Sequence, residues 1–250
     1  MKKKIGIVIP AYNEESNIIN IANAIKKKVK NSLIIIVDDS LHNKTSDLIK
    51  KKKLKVKYIH RKKKLGRGSA VLLGLKKLLK DKNIETFIEL DADFSHSPEE
   101  LPRNIKHFKK KSLDLLIGSR YLRKSKIVNW SLSRRIFSLL ANRLASSLLK
   151  IPINDLTNGY RIYSKSAVRR IVKNCGNIGD GFIILSEILV ELYLNRLKIG
   201  EIESHFVNRQ RGESSVNFRL IIASLFGLIK LYINKRKRLK SIYKKKTFKK

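Results

Sequence analysis

The stretch "FIELDADFSHSPEEL", Phe87 to Leu101, passes from an apolar run into two carboxylates, Asp91 and Asp93, one residue apart, and then into a proline-led helix signal. A short β-rich run that ends in acids and turns into a helix is the repeating unit of open α/β sheets. The same grammar recurs on either side of it. Ile5 to Ile9 reads as a strand, followed by Ser16 as N-cap and by Ile18, Ile21, Ala22, Ile25 and Val29 on one helical face. Leu33 to Val37 and Val56 to Ile59 are two further strands, and Gly68 to Lys80 carries Val71, Leu72, Leu75, Leu78 and Leu79 at helical spacing. Thr86 to Leu90 and Leu113 to Ile117 follow as strands, with a helix entered through Pro98 between them. The alternation predicts an α/β domain with a mostly parallel sheet and helices on both faces.

Ligands of such sheets bind beyond the carboxyl ends of the strands. "PAYNEE" follows the first strand, "DDS" the second, "DADFSH" the fourth and "GSRY" the fifth, so polar groups from four segments are expected on one rim. The later chain differs in pattern. Trp130 to Lys150 predicts an amphipathic helix, "LTNGYRIYS" a strand or turn, Gly181 to Arg196 a strongly apolar helix, and "IGEIESHFVNRQRGESS" a strand leading to a polar loop.

Charge and cysteine content narrow the setting. The 250 residues carry 57 Lys+Arg against 20 Asp+Glu, a net +37, which favours polyanionic partners: anionic membranes, nucleic acid or phosphorylated substrates. Lysine runs such as Lys50 to Lys53 read singly as solvated faces. Aromatic content of 7% and dispersed charge argue against nucleic acid. The single cysteine, Cys175, allows no internal disulfide and suggests a reducing compartment. "MKKKIGIVIP" has too short an apolar run for a signal-peptide core and reads as the first strand. Leu220 to Ile233 would be about 21 Å long as a helix, short of a hydrocarbon core of about 30 Å, and suits lying on a bilayer. The last sixteen residues hold ten Lys/Arg and no acid and are expected as a basic tail.

Two aspartates in D-x-D spacing on a tight loop bring both carboxylates near one hard cation, whose shell water and phosphate complete. The spacing alone equally fits a solvated turn. The pieces "VIPAYNEESNI", "IIIVDDS", "KLGRGSAVLLGL", "ELDADFSHSPEEL", "GSRY", "DLTNGYRIY" and "VNRQRGESS" add to it. In that order and approximate spacing, from about Lys4 to Ser215, the chain resembles the dolichol-phosphate mannosyltransferase branch of the family 2 glycosyltransferases.

The resemblance implies a GT-A nucleotide-sugar fold, Rossmann-like, over residues 1–215, with a C-terminal amphipathic helix over 216–234 and a basic tail over 235–250. It implies an inverting transfer of a sugar, mannose from GDP-mannose, onto a polyprenyl or dolichyl phosphate at an anionic membrane surface. It also implies a peripheral, cytoplasmic-face location, with a membrane-anchoring partner subunit. Carried over by motif, Pro10, Tyr12, Glu14, Val37 and Asp39 would hold the nucleoside. Asp91, Ala92 and Asp93 would hold Mg²⁺ or Mn²⁺ and the diphosphate, with Ser95 a further residue near the metal. Arg120 and Arg209 would neutralise phosphate charge, and Arg134 and Arg135 are candidates for the acceptor phosphate.

A phosphate acceptor is already anionic and needs no strong base, whereas a sugar-hydroxyl acceptor demands a carboxylate. Asp155 in "NDLTNGYR" is either that base or a loop-orienting group. Gly66 and Gly68 read as permitting a tight start to a helix, and the five histidines show no metal-ligand spacing. The chain departs from the family pattern at Leu41, Asn43 and Lys44, and at Ser215, where the family carries lysine. Three alternatives stay open: a family 2 enzyme using a UDP-sugar or a hydroxyl acceptor, a degenerate transferase domain kept as a scaffold, and a non-enzymatic polyanion-binding protein.

Overall fold

β-Branched side chains fit a pleated surface, and the isoleucine- and valine-rich runs form the strands. The computed structural model describes residues 3–179, 181, 183–208 and 226–239. In chain order the first half comprises β1 (Lys4–Ala11), α1 (Glu15–Lys28), β2 (Ser32–Asp38), α2 (Lys44–Lys51), β3 (Lys57–His60), α3 (Arg67–Leu78), β4 (Ile84–Glu89), α4 (Leu101–Lys110) and β5 (Leu115–Ser119). The second half adds β6 (Lys126–Val128), α5 (Leu132–Leu149), β7 (Arg161–Ser164), α6 (Lys165–Asn174), α7 (Ile183–Leu194), β8 (Ile199–Glu203) and β9 (His205–Val207). A 3-10 turn at Pro98–Glu100 leads into α4, as the proline predicts.

Seven strands make one sheet in the order β3-β2-β1-β4-β7-β5-β8, and β6 pairs with β9 in a small second sheet. The main sheet is parallel except for β7, which runs antiparallel to β4 and β5. The strand order reverses between β1 and β4, which places a topological switch point beside Asp91.

Alternation along each strand divides the core between the two faces. Val8, Ile35 and Val37 pack with α3, α6 and α7. Ile7, Ile9, Ile34 and Ile36 pack with α1 and α4. Each of these side chains is at most 1% exposed, and burial of one such residue is worth about 1.5–3 kcal/mol.

The sequence reading differs from the structure at several points. Glu14, not Ser16, stands at the N-cap of α1, and Ser16 lies in its first turn. Helices α2 and α6 and strand β6 were not expected: α2 is lysine-rich with few apolar positions, and β6 is three residues long. Residues 226–239 are helical, so helix crosses the expected boundary between residues 234 and 235. Lys235, the first residue of the expected tail, is buried and donates to the Leu149 carbonyl. Among the described residues no helix is long and apolar enough to cross a membrane.

Candidate active site

The loops after β1 and β2 are tied together by small polar groups. Asp38 accepts from the Ser40 amide at 2.9 Å and from Tyr58 Oη at 2.8 Å, and Ser40 Oγ accepts from the Asn13 amide at 2.8 Å. Asn13 holds φ at +56°, a left-handed conformation that asparagine tolerates better than most residues. Tyr12 is 36% exposed at this rim, with Lys64 Nζ 4.5 Å from its ring centroid. Glu14 accepts from the Asn17 side chain at 2.8 Å. Pro10 and Val37 are buried opposite each other in β1 and β2, with Val37 inside the core.

Asp39 is filled by donors from the next loop. Arg61 Nε and Nη2 reach its two oxygens at 2.5 and 2.7 Å, and the Leu65 and Gly66 amides add bonds of 2.9 and 3.0 Å. Gly66, with φ +89°, then starts α3, the role expected of this glycine. One carboxylate thereby fixes the path from β3 into α3.

Arg67, the first residue of α3, reaches across to the end of β4. Its Nη1 donates to Glu89 at 2.6 Å, its Nε to Asp91 at 2.9 Å and its Nη2 to the Gly159 carbonyl at 3.3 Å. Glu89 is wholly buried and also accepts from Tyr163 Oη at 2.7 Å. Burial pulls the Arg67 guanidinium down, but Asp91 and Glu89 outweigh it and raise it above its usual value. A Cβ at position 159 would overlap Arg67 Nη2 and approach Asp91 Oδ2 to 3.0 Å, so only glycine lets the backbone lie against this pair.

Asp93 Oδ1 accepts from the Ser95 amide at 3.0 Å, and Phe94 between them has φ +59°. A bulky residue in that region marks a constrained backbone. Ala92 and Ser95 are buried on either side, at 3% and 2% exposure. Among the described residues no three His, Cys, Asp or Glu side chains form a ready metal cage. Asp91 and Asp93 lie on one loop directly after β4.

Arg120 is buried and paired with Asp155. Its Nε and Nη2 meet the two oxygens of Asp155 at 2.8 and 2.7 Å, Nη2 also reaches Thr157 Oγ1 at 2.8 Å, and its amide donates to Asp155 at 3.0 Å. The rings of Tyr121, Trp130 and Phe206 surround the guanidinium at 5.4–5.6 Å. Burial alone would raise the Asp155 carboxyl, yet Arg120 and the amide donors hold it below the usual range. That is the state of a structural anion and a poor one for a general base. His96 is equally buried, bonded to Asn158 Oδ1 at 2.7 Å and Ser204 Oγ at 3.2 Å, and burial lowers its imidazolium.

The loop through residues 155–161 therefore links Arg67, His96 and Arg120. Asp155 and Thr157 hold Arg120, Asn158 holds His96 and the Gly118 carbonyl, and Gly159 touches the Arg67–Asp91 pair. Arg134 lies over the Trp130 ring at 4.4 Å and reaches Asn208 at 3.4 Å, while Arg135 donates to the Ile127 carbonyl at 2.7 Å. Arg209 and Ser215 lie outside the described residues. Sequence reasoning did not single out Arg61, Arg67, Glu89 or Asn158. Only the glycines flanking Arg67 gave a signal.

A mostly parallel sheet with a D-x-D loop at its switch point is the arrangement of a GT-A glycosyltransferase. The chain belongs to the family described as glycosyl transferase family 2, whose model matches residues 6–172. It is 32% identical over 235 residues to a dolichol-phosphate mannosyltransferase of Pyrococcus furiosus, a match covering 91% of this chain and 63% of that protein. It is 30% identical to the polyprenol monophosphomannose synthase of Mycolicibacterium smegmatis, over 88% of this chain and 83% of that one. The undecaprenyl-phosphate mannosyltransferase of Micrococcus luteus matches at 30% identity, over 84% and 86% of the two chains. Among solved structures, glucosyl-3-phosphoglycerate synthase of Mycobacterium tuberculosis, in complex with Mn²⁺, UDP and glucosyl-3-phosphoglycerate, superposes with a TM-score of 0.66. That match has 16% identity over 93% of this chain and 80% of the other, and it speaks to the fold.

Proposed function

We propose that this chain transfers mannose from GDP-mannose, with inversion, onto a polyprenyl phosphate. The observation that carries the acceptor class is the state of Asp155, which is buried, bidentate to Arg120 and held acidic. The carboxylate that the sequence offered as a base for a hydroxyl acceptor is thus occupied, and a phosphate monoester acceptor needs none. The donor class follows from relatives that are each named for mannose transfer or mannose-phospholipid synthesis.

In this reading Asp91 and Asp93 hold Mg²⁺ or Mn²⁺ with the donor diphosphate, close to Ser95. Such an ion supplies charge neutralisation to the departing diphosphate. Arg67 fixes Asp91 against the end of β4, and the Asp39–Arg61 pair shapes the wall beneath Tyr12, where the nucleoside lies against Pro10, Glu14 and Val37. Arg120 orients the 155–161 loop, Arg209 meets phosphate, and Arg134 and Arg135 gather the acceptor phosphate. The chain works peripherally at the cytoplasmic face of a membrane, in keeping with a net +37 and a single cysteine.

A donor-by-acceptor screen tests this. With added Mg²⁺ or Mn²⁺, radiolabelled GDP-mannose and polyprenyl phosphate should give an organic-extractable product, and Asp91→Asn or Asp93→Asn should each lower the rate by at least about a hundredfold. Product from UDP-sugars alone, product on hydroxyl acceptors alone, or full rates in both variants would each overturn it.

A further inference from the structure

Arg67 stands where its own helix does not favour it. It is the first residue of α3, at the end where the helix dipole is positive and a cation is disfavoured, and no acid lies in that first turn. Carboxylates of another element set its place. Asp91 Oδ1 meets the one guanidinium twice, accepting from Nε at 2.9 Å with Nη2 2.8 Å away, while Nη1 is tied to Glu89 Oε1 at 2.6 Å. Backbone closes the far side of the fork. Nη2 also reaches the Gly159 carbonyl at 3.3 Å, and even a Cβ on Gly159 would stand only 2.1 Å from that nitrogen. Glu89, wholly buried and bonded by Tyr163 Oη at 2.7 Å, anchors the other arm, so the guanidinium has little room to swing away from Asp91.

A carboxylate offers about four lone-pair sites, roughly two to each oxygen. Those of Asp91 Oδ1 face guanidinium hydrogens, so that oxygen cannot also form half of a two-oxygen clamp on an ion. Asp93 in turn lends Oδ1 to the Ser95 amide at 3.0 Å. Ions differ in what they ask of such a loop. Ca²⁺ takes about six to eight oxygens and often a bidentate carboxylate, whereas Mg²⁺ demands a near-ideal octahedron and uses one or two carboxylates together with waters and phosphate. We infer that Arg67 is a positioning residue for cation choice: by covering Asp91 Oδ1 it restricts Asp91 to a single oxygen toward the ion, and so selects Mg²⁺ or Mn²⁺ against Ca²⁺.

A purely structural role for Arg67, neutralising buried Glu89, is served by Nη1 and leaves the paired contacts to one Asp91 oxygen unexplained. The two roles separate in a binding measurement. The inference rests on the reading above for the presence of a cation at Asp91 and Asp93, and its test does not use turnover.

The full chain with saturating GDP is titrated with Mn²⁺, free Mn²⁺ being read by electron paramagnetic resonance and corrected for the ion held by GDP alone. Mg²⁺ and Ca²⁺ are then used to displace it. The parent should give up Mn²⁺ to Mg²⁺ at lower concentration than to Ca²⁺. In Arg67→Lys, whose ammonium keeps the charge but not the fork, the ratio of Ca²⁺ to Mg²⁺ needed for displacement should fall at least about tenfold. Arg67→Gln/Glu89→Gln removes both charges of the buried pair and should lower the ratio likewise, which keeps the test intact if the lysine variant does not fold. A lowered Tm in both variants with the parent's ratio unchanged is the mark of a structural role and overturns the inference. Mn²⁺ binding that Asp93→Asn weakens, with one ratio shared by parent and variants, overturns the inference alone. A parent with no protein-dependent Mn²⁺ binding overturns it together with the metal reading.

Discussion

Asp91 is held from behind by a cation that also neutralises a buried anion. Arg67 bridges Asp91 and Glu89, and Glu89 is wholly out of water. Removing the guanidinium leaves Glu89 with Tyr163 as its recorded donor, a buried charge without its cation. Arg67→Met should therefore cost roughly 3–5 kcal/mol in urea unfolding. Arg67→Met/Glu89→Leu should recover a large part of that loss, since the uncompensated charge goes with it. If the double variant is as unstable as the single, the pair is not the source of the penalty. Asp155 supplies a pH signature at the same scale. Its carboxyl is depressed in the folded state, so its contribution to stability is complete above the ordinary value near 3.9 and fades as pH falls through the depressed value. Stability of the parent should drop more steeply on acidification below pH ~4 than that of Asp155→Asn, which is less stable at neutral pH. A parallel pair of acid limbs would contradict the assignment.

Elements differed in how much of themselves they wrote into the sequence. Strands β1 and β2 lie in runs of apolar, largely β-branched residues that are buried on both faces beyond their first two positions, and β4 and β5 in shorter, mostly buried runs; such runs announce themselves. The direction of β7 was hidden, because "RIYS" has the same period whether it pairs parallel or antiparallel, and its place between β4 and β5 is fixed by partners 44 to 48 residues away on β5 and 72 to 78 on β4. For the same reason the D-x-D loop was legible as a strand end, whereas the partnership of Arg120 with Asp155, 35 residues apart, was not. The length of α5 was readable from its period, but its orientation was not, since period alone does not say which face meets the protein. Packing of α3 on the sheet offers a sharp test. A Cβ at Gly74 would overlap Val8 Cγ2 and touch Val37. Gly74→Ala should thus destabilise by roughly 1–3 kcal/mol despite the better helix propensity of alanine. A rise in Tm would show that α3 shifts outward without loss.

At the scale of the whole molecule, charge works against the fold it surrounds. Of the 20 acids, several are committed to single buried or half-buried partners, as with Asp39, Glu89 and Asp155, so they do little to neutralise the remaining lysines. A net +37 on 250 residues then repels itself, and folding increases that repulsion by bringing the charges closer. Exposed pairs such as Lys165–Glu85 pull the other way, but each is worth no more than about 1 kcal/mol and is itself screened by salt. Repulsion is long-ranged, so it responds to a Debye length that shrinks from about 30 Å at 0.01 M to about 10 Å at 0.1 M, whereas the buried Arg67 and Arg120 networks barely respond. Tm should accordingly rise as NaCl is raised over that range, and KCl should give the same rise. A fall in Tm with salt would mean that attractive surface pairs, and not the uncompensated lysines, dominate the electrostatics of the folded chain.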